Sequence, residues 1–257
     1  MTTEVELVGG VALVRLAHGK VNALDTELCR AIERTMRELD GQEGARAVVV
    51  TGAGRAFSAG VDLRRVVDGG AAYVAEFLPA LSAAFRAVFD LGKPMVAAIN
   101  GHAIAGGCVL AAACDHRIMA SGTGVIGVPE LRVGVPFPET ALEIMRFTLG
   151  PVRARQTIFD GTNHDPEAAL ALGLVDELCA PDALLDRAVA VAEELATAFP
   201  ADTFRYTKAQ VRREVHERLD GLSEPALGEL WTAAATDGRI QAFLDRTIGS
   251  AGNRNQG

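Results

Sequence analysis

Apolar and polar residues alternate at the start of the chain. Val5 and Leu7 precede Gly9-Gly10, and Val11, Leu13 and Arg15 follow with the same period of two. Two strands around a Gly-Gly turn predict a β-hairpin. The period then lengthens: Leu28, Ile32, Met36 and Leu39 share one face of a helix that Asp25 or Thr26 can cap and that ends near Asp40. Ala47–Thr51 and Met95–Asn100 are continuous apolar runs, as expected for strands covered on both faces in a parallel sheet. Between them a helix is expected over 72–91, kinked or divided at Pro79. A short helix over 108–114 and a strand over 116–120 follow. Beyond Pro138 the pattern is mostly helical, over 138–149 and 152–159, punctuated by Gly150-Pro151. A short strand is expected over 174–179, and helices over 184–198, 201–219, 224–235 and 239–248. No internal repeat is visible. Strands alternating with helices, then a helical tail, predict an α/β fold with a boundary near residue 200, dividing 1–199 from 200–257.

Composition narrows the class. The chain has 257 residues, long enough to bury a full core without disulfides or metal. A formal charge of −8 speaks against non-specific nucleic-acid binding, which rests on basic surface. Cys29, Cys108, Cys114 and Cys179 form no CxxC pair, so reduced thiols and a cytoplasmic address are expected. The first ten residues carry no basic stretch ahead of an apolar run, unlike a secretory signal, and no uninterrupted apolar run approaches the roughly 18 residues of a membrane span. His18, His102, His116, His164 and His216 are scattered without HExxH spacing, so no metal is expected.

Chemistry concentrates in two glycine-rich loops, Gly52–Leu63 and Gly101–Gly107, each following a buried strand. The second lacks the Lys-Ser/Thr of a P-loop, and the first has Phe57 where a dinucleotide fingerprint needs its third glycine. Ala56–Gly60 imitates a nucleophile elbow, but its serine does not sit directly on a strand-to-helix turn. Two small-residue loops can instead bring backbone N–H groups close to a ligand, and two converging donors would form an oxyanion hole. Tight turns with close packing would look the same at this level.

The runs Asn22–Asp25, Val48–Gly52, Phe57–Leu63, Ala97–Gly101, Ala105–Cys108, Cys114–Ala120 and Ala171–Asp176, in this order and spacing, resemble the crotonase (enoyl-CoA hydratase/isomerase) superfamily. The resemblance covers residues 5–248 and implies a ββα spiral core followed by a C-terminal helical trimerisation region. It implies an acyl-CoA substrate, coenzyme A entering as part of that substrate with no permanently bound cofactor, and a homotrimer or hexamer. The expected oxyanion donors are the backbone N–H groups of Val61 and Gly106. Of the two family glutamates the first position is Val109, which cannot move a proton, and the second is Glu130. A carboxyl group in an apolar pocket has its charged form disfavoured, which suits a proton shuttle.

One glutamate matches double-bond isomerisation, in which one base removes a proton at C2 and returns it at C4. Cys114–Ala120 and Pro136-Phe137 also resemble the Δ3-Δ2-enoyl-CoA isomerase branch. Glu139 or Glu143 could supply a second acid for a hydratase, and a non-catalytic acyl-CoA-binding protein is a further alternative. By resemblance Ala23 and Leu24 line the pantetheine channel, Ser58, Ala59 and Gly60 lie beside the adenine, and Asp62 and Leu63 close the loop. Phe243 and Arg246 are the nearest matches to an aromatic and a cation of the adenine and phosphate pocket, or belong to an ordinary amphipathic helix. Arg64, Arg65 and His102 are further candidates for ligand contact. Leu222, Leu227, Leu230, Trp231 and Phe243 are compatible with an oligomer interface or with a bundle closed on its own core.

Overall fold

A computed structural model describes residues 2–220 and 224–253; Leu222 lies outside the described residues. The hairpin forms as expected: β1 (Thr3–Val8) pairs antiparallel with β2 (Val11–Leu16) across Gly9-Gly10, both at positive φ. Its alternation differs from a half-buried strand, because Val5 and Leu7 are both about half exposed on the outer edge. From β2 inward the sheet is parallel. It runs β1-β2-β3-β5-β7-β10, with β3 (Ala47–Gly52), β5 (Met95–Ile99), β7 (His116–Ala120) and β10 (Glu177–Cys179).

A second sheet, β4-β6-β8-β9, is built from short strands: β4 (Ala56–Ser58), β6 (His102–Ile104), β8 (Ile126–Gly127) and β9 (Asn163–His164). The chain visits the two sheets in turn and then enters a helix three times over. β3 and β4 lead to α2 (Leu63–Asp90), β5 and β6 to α3 (Gly106–Ala112), and β7 and β8 to α4 (Glu130–Val133). This is the expected ββα spiral, a structural repeat without visible sequence repetition.

The main sheet explains the continuous apolar runs. Val11, Leu13, Ala47, Val49, Val96 and Ala98 pack against α7 (Leu184–Ala198) on one face. Their neighbours Ala12, Val14, Val48, Val50 and Ala97 join α1 (Thr26–Gly41) and α2 in the main core on the other. With successive side chains pointing to opposite faces, both faces must be apolar when both are covered. Asp25, not Thr26, caps α1, its carboxylate accepting from the Leu28 N–H at 2.8 Å.

Helix α2 departs from expectation. It begins at Leu63, and its break lies at Gly70 (φ 54°, ψ −144°), a conformation open to glycine, while Pro79 stays inside helical backbone. Pro79 fits because its fixed φ is helical, and Ala75, whose carbonyl loses its partner, is exposed. Among the described helices α2 alone is long and apolar enough to cross a membrane, but Phe77, Leu81, Phe85 and Phe89 bury it in the core. Helix α5 (Glu139–Asp160) likewise bends at Gly150, and α6 (Pro166–Leu172) follows.

Among the described residues three further helices follow: α8 (Ala201–Leu219), α9 (Pro225–Thr236) and α10 (Arg239–Asn253). Asp115 draws α8 onto the core through Lys208 at 2.6 Å and Arg212 at 2.8 Å. Val215 and Leu219 join the main core, and Trp231 packs with Val66 and Val74 of α2.

Candidate active site

The two glycine loops meet. Asn22, itself at φ 51°, holds the first one, its amide donating to the carbonyls of Ala53, Ala56 and Phe57 at 3.2, 2.9 and 3.3 Å. Buried Ser58 donates its hydroxyl to the Asn22 carbonyl at 2.7 Å and accepts from the Gly60 N–H at 3.2 Å. Leu24 then pairs like a parallel strand, donating to the Gly60 carbonyl at 2.7 Å and accepting from the Asp62 N–H at 2.9 Å. In such pairing the residue between the two bonded positions turns its own N–H to the opposite edge. That residue is Val61, and its N–H finds no acceptor in the described chain.

The second loop ends at Ala105, an alanine held at φ 53° and ψ −122° at the start of α3. Backbone strain of this kind is over-determined by its surroundings and collects at functional sites. The next N–H, that of Gly106, opens the helix and has no intrahelical partner. Contact between the loops needs their glycines. A Cβ on Gly60 would collide with the Ile104 carbonyl and come within 3.3 Å of the Gly106 nitrogen. One on Gly107 would strike the Ser58 carbonyl, and one on Gly106 would lie 2.7 Å from Leu24 Cδ1.

Glu130 enters from the third spiral turn, at the first position of α4 after β8 and Pro129. It is 6% exposed, and its Oε2 is buried with no hydrogen-bond partner among the described residues. Burial pushes its carboxyl up to about 8, opposed only by its own backbone N–H. It opens onto a cavity of about 490 Å³ that Val61, Ala59, Leu63, Ala105, Trp231 and Phe243 also line. Glu130 is the one carboxylate among the described lining residues. Arg132, also at the cavity, spends its guanidinium on the Asp160 carbonyl at 2.8 and 3.0 Å.

The structure thus gathers Glu130, Val61, Ala59, Leu63 and Phe243 around one cavity, with Gly106 next to the lining residue Ala105. The other expected residues lie elsewhere. Leu24 and Ser58 are wholly buried, so they shape the loop from behind; Asp62 caps α2, accepting from the Arg64 and Arg65 N–H groups at 3.1 Å. Ala23 and Gly60 belong to the paired loop backbone and do not line the cavity; Arg246 is exposed on α10 and is not among the described lining residues. His102 is exposed and accepts from the Val125 N–H at 3.3 Å, and Arg65 turns to Asp25 at 3.1 Å. His18, Asp25 and Glu27 could approach a common ion, but Asp25 is already engaged by His18 at 2.7 Å, Arg65 and the Leu28 N–H.

Neither proposed second acid lines this cavity. Glu143 is buried on α5 and bonds Arg146 at 2.6 Å and Arg218 at 2.5 Å, while the Glu139 N–H bonds Glu224 at 3.1 Å and its side chain stays outside. Val109 is buried in α3. Residues that sequence reasoning missed include Val133, Val135, Thr162 and Asn163 of the cavity wall. Trp231 carried a signal, being the sole tryptophan, but its part in the wall comes from packing alone.

A ββα spiral whose glycine loops converge beside a buried glutamate defines the crotonase class. The family model for enoyl-CoA hydratase/isomerase matches residues 6–228, and the chain belongs to that family of enzymes. It is 35% identical over 224 residues to a "Probable enoyl-CoA hydratase" of Rhizobium meliloti, covering 85% of this chain and 84% of that one. It is 30% identical over 218 residues to the mouse mitochondrial enoyl-CoA delta isomerase 1, covering 84% and 75%. The crystal structure of human mitochondrial delta3-delta2-enoyl-CoA isomerase superposes with a TM-score of 0.88 at 26% identity over 100% of both chains.

Proposed function

We propose that this enzyme isomerises 3-enoyl-CoA thioesters to 2-enoyl-CoA thioesters, with Glu130 as its single proton carrier. The Glu130 carboxylate takes a proton from C2, and the C2–H electron pair delocalises through C3–C4 and onto the thioester oxygen. The Val61 and Gly106 N–H groups hold that developing charge, each donor being worth about 3 kcal/mol in a dry site. The protonated Glu130 then returns its proton to C4, leaving the double bond between C2 and C3. The observation that carries this reading is the Glu130 carboxyl group, the one carboxyl among the described lining residues, buried with one oxygen unpartnered and shifted toward neutral pH.

Hydration is the second reading, supported by the hydratase names among the relatives. Adding water calls for a group to activate it and a group to deliver a proton. With Val109 in the first family position and Glu143 held by two arginines, one carboxyl would have to do both. Assays of 3-enoyl-CoA and 2-enoyl-CoA side by side decide the matter: isomerisation without comparable hydration is expected, and efficient hydration with little isomerisation would reverse the assignment. Coenzyme A enters as part of the substrate, its pantetheine passing Ala23, its adenine beside the Ser58–Gly60 backbone and its phosphate end nearest Arg246. Assembly as a homotrimer or hexamer belongs to the same proposal.

A further inference from the structure

The reaction cavity does not end freely. Its apolar side includes Trp231, which is 1% exposed and donates its indole N–H to the Pro136 carbonyl at 3.1 Å, so the ring is buried and held at its edge. Beyond it lies a second space, a groove of about 750 Å³ between α2 and α9 lined by Val74, Leu78, Leu227 and Thr232. Val74, Leu78 and Leu227 share one apolar cluster with Trp231, and Leu227 stands one helical turn before it on the same face of α9. The groove and the reaction cavity therefore border the same apolar cluster, and Trp231, next to Thr232 of the groove wall on α9, is one of its members that line the reaction cavity.

We propose that Trp231 is the partition that sets acyl-chain length: the tail of the substrate ends against its indole, and the α2–α9 groove stays closed to it. The inference rests on the acyl-CoA reading above. The carbonyl and Glu130 fix the reacting end of the acyl group, so the remaining methylenes must run toward the apolar wall formed by Val133, Val135, Phe243 and Trp231. A short tail is buried there. A long one meets the ring and must fold back or stay in water. Replacing the indole by a smaller side chain joins the two spaces and gives a long tail an apolar path into the groove.

The test measures the dissociation constants of butyryl-CoA and dodecanoyl-CoA, saturated thioesters that cannot isomerise, for the wild-type protein, Trp231→Leu and Trp231→Phe. Each methylene newly buried gains roughly fourfold in affinity, so Trp231→Leu should shift the ratio of the two constants toward the long chain by at least about tenfold, with Trp231→Phe in between. A ratio unchanged in a folded variant would overturn the partition while leaving the acyl-CoA reading intact. Failure of the wild-type protein to bind either thioester would overturn that reading and the partition with it. Trp231 is also the sole tryptophan, so its emission reports on the wall directly in the unaltered protein, whether or not the variants fold. Hexanoyl-CoA should perturb that emission and coenzyme A should not; equal responses would overturn the proposal.

Discussion

Two buried glutamates in this chain have opposite surroundings. Glu130 is 6% exposed and Glu143 1%, so burial does not separate them. Glu143 carries its charge into the protein together with two guanidinium groups, one on each oxygen, and ties α5 to α8. Glu130 makes no ion pair among the described residues, keeps one oxygen without a partner, and sits where a cavity gives a small molecule access. A carboxylate whose charge is matched at every oxygen is a structural link, since moving a proton onto it would break two ion pairs. A carboxyl left unmatched holds its proton near neutral pH and is free to exchange it. Partners and access, more than depth, distinguish a base from a strut.

The contrast is broken most severely at Glu130 itself. Glu130→Gln should lower kcat for isomerisation by about 10²- to 10⁴-fold with the fold intact, read by turnover and by a thermal melt on the same preparation. A melting temperature maintained with turnover unchanged would remove Glu130 from the chemistry.

Next in size is pH. The base must be ionised, so kcat/KM should rise about tenfold per unit as the pH climbs toward 8, then level off. Stability should run the other way. The carboxyl's folded value of about 8 lies above its ordinary value of 4.5, so its contribution is fully present below 4.5 and is lost as pH rises through 8. The difference in melting temperature between wild type and Glu130→Gln should therefore grow in the variant's favour from pH 4.5 to 8. A flat difference would mean that Glu130 is not shifted upward.

Glu143→Gln tests the other half of the contrast. It should cost about 1–3 kcal/mol in urea denaturation, the lower end following from arginines that are 45% and 48% exposed, while kcat stays within a small factor of wild type. A large fall in kcat with stability unchanged would make it a second acid. The smallest effect on turnover is expected from Val109→Glu, which sets an acid at the other family position. Hydration of 2-enoyl-CoA should rise above the wild-type level, at about 1–3 kcal/mol of stability for the newly buried polar group. No gain in hydration would show that a second carboxyl alone does not convert the site.

How much of this was legible beforehand follows the range of the interactions. Helices α1, α7 and α8 could be read from their periodicity, and β3 and β5 from their apolar runs, because both faces of the main sheet are covered. The bend of α2 was misplaced at Pro79, since proline disturbs only its own turn on an exposed face, whereas Gly70 takes a backbone conformation that composition does not reveal. The threefold ββα repeat was invisible because β4 and β6 have three residues each and β8 two, too short to carry a pattern. Val61, Gly106 and Glu130 could be proposed from the resemblance to the family. The cavity wall could not, because Val135, Thr162, Trp231 and Phe243 meet only through the packing of α4, α5, α9 and α10 and the segments between them.

The central claim is that one shielded carboxyl carries the proton from C2 to C4. It is tested most directly by a single turnover of 3-enoyl-CoA deuterated at C2, with mass and NMR analysis of the 2-enoyl product. The account predicts that part of the label lost from C2 reappears at C4 within the same molecule and that Glu130→Gln abolishes this transfer. A product bearing only solvent hydrogen at C4, or label transfer undiminished in Glu130→Gln, would contradict it.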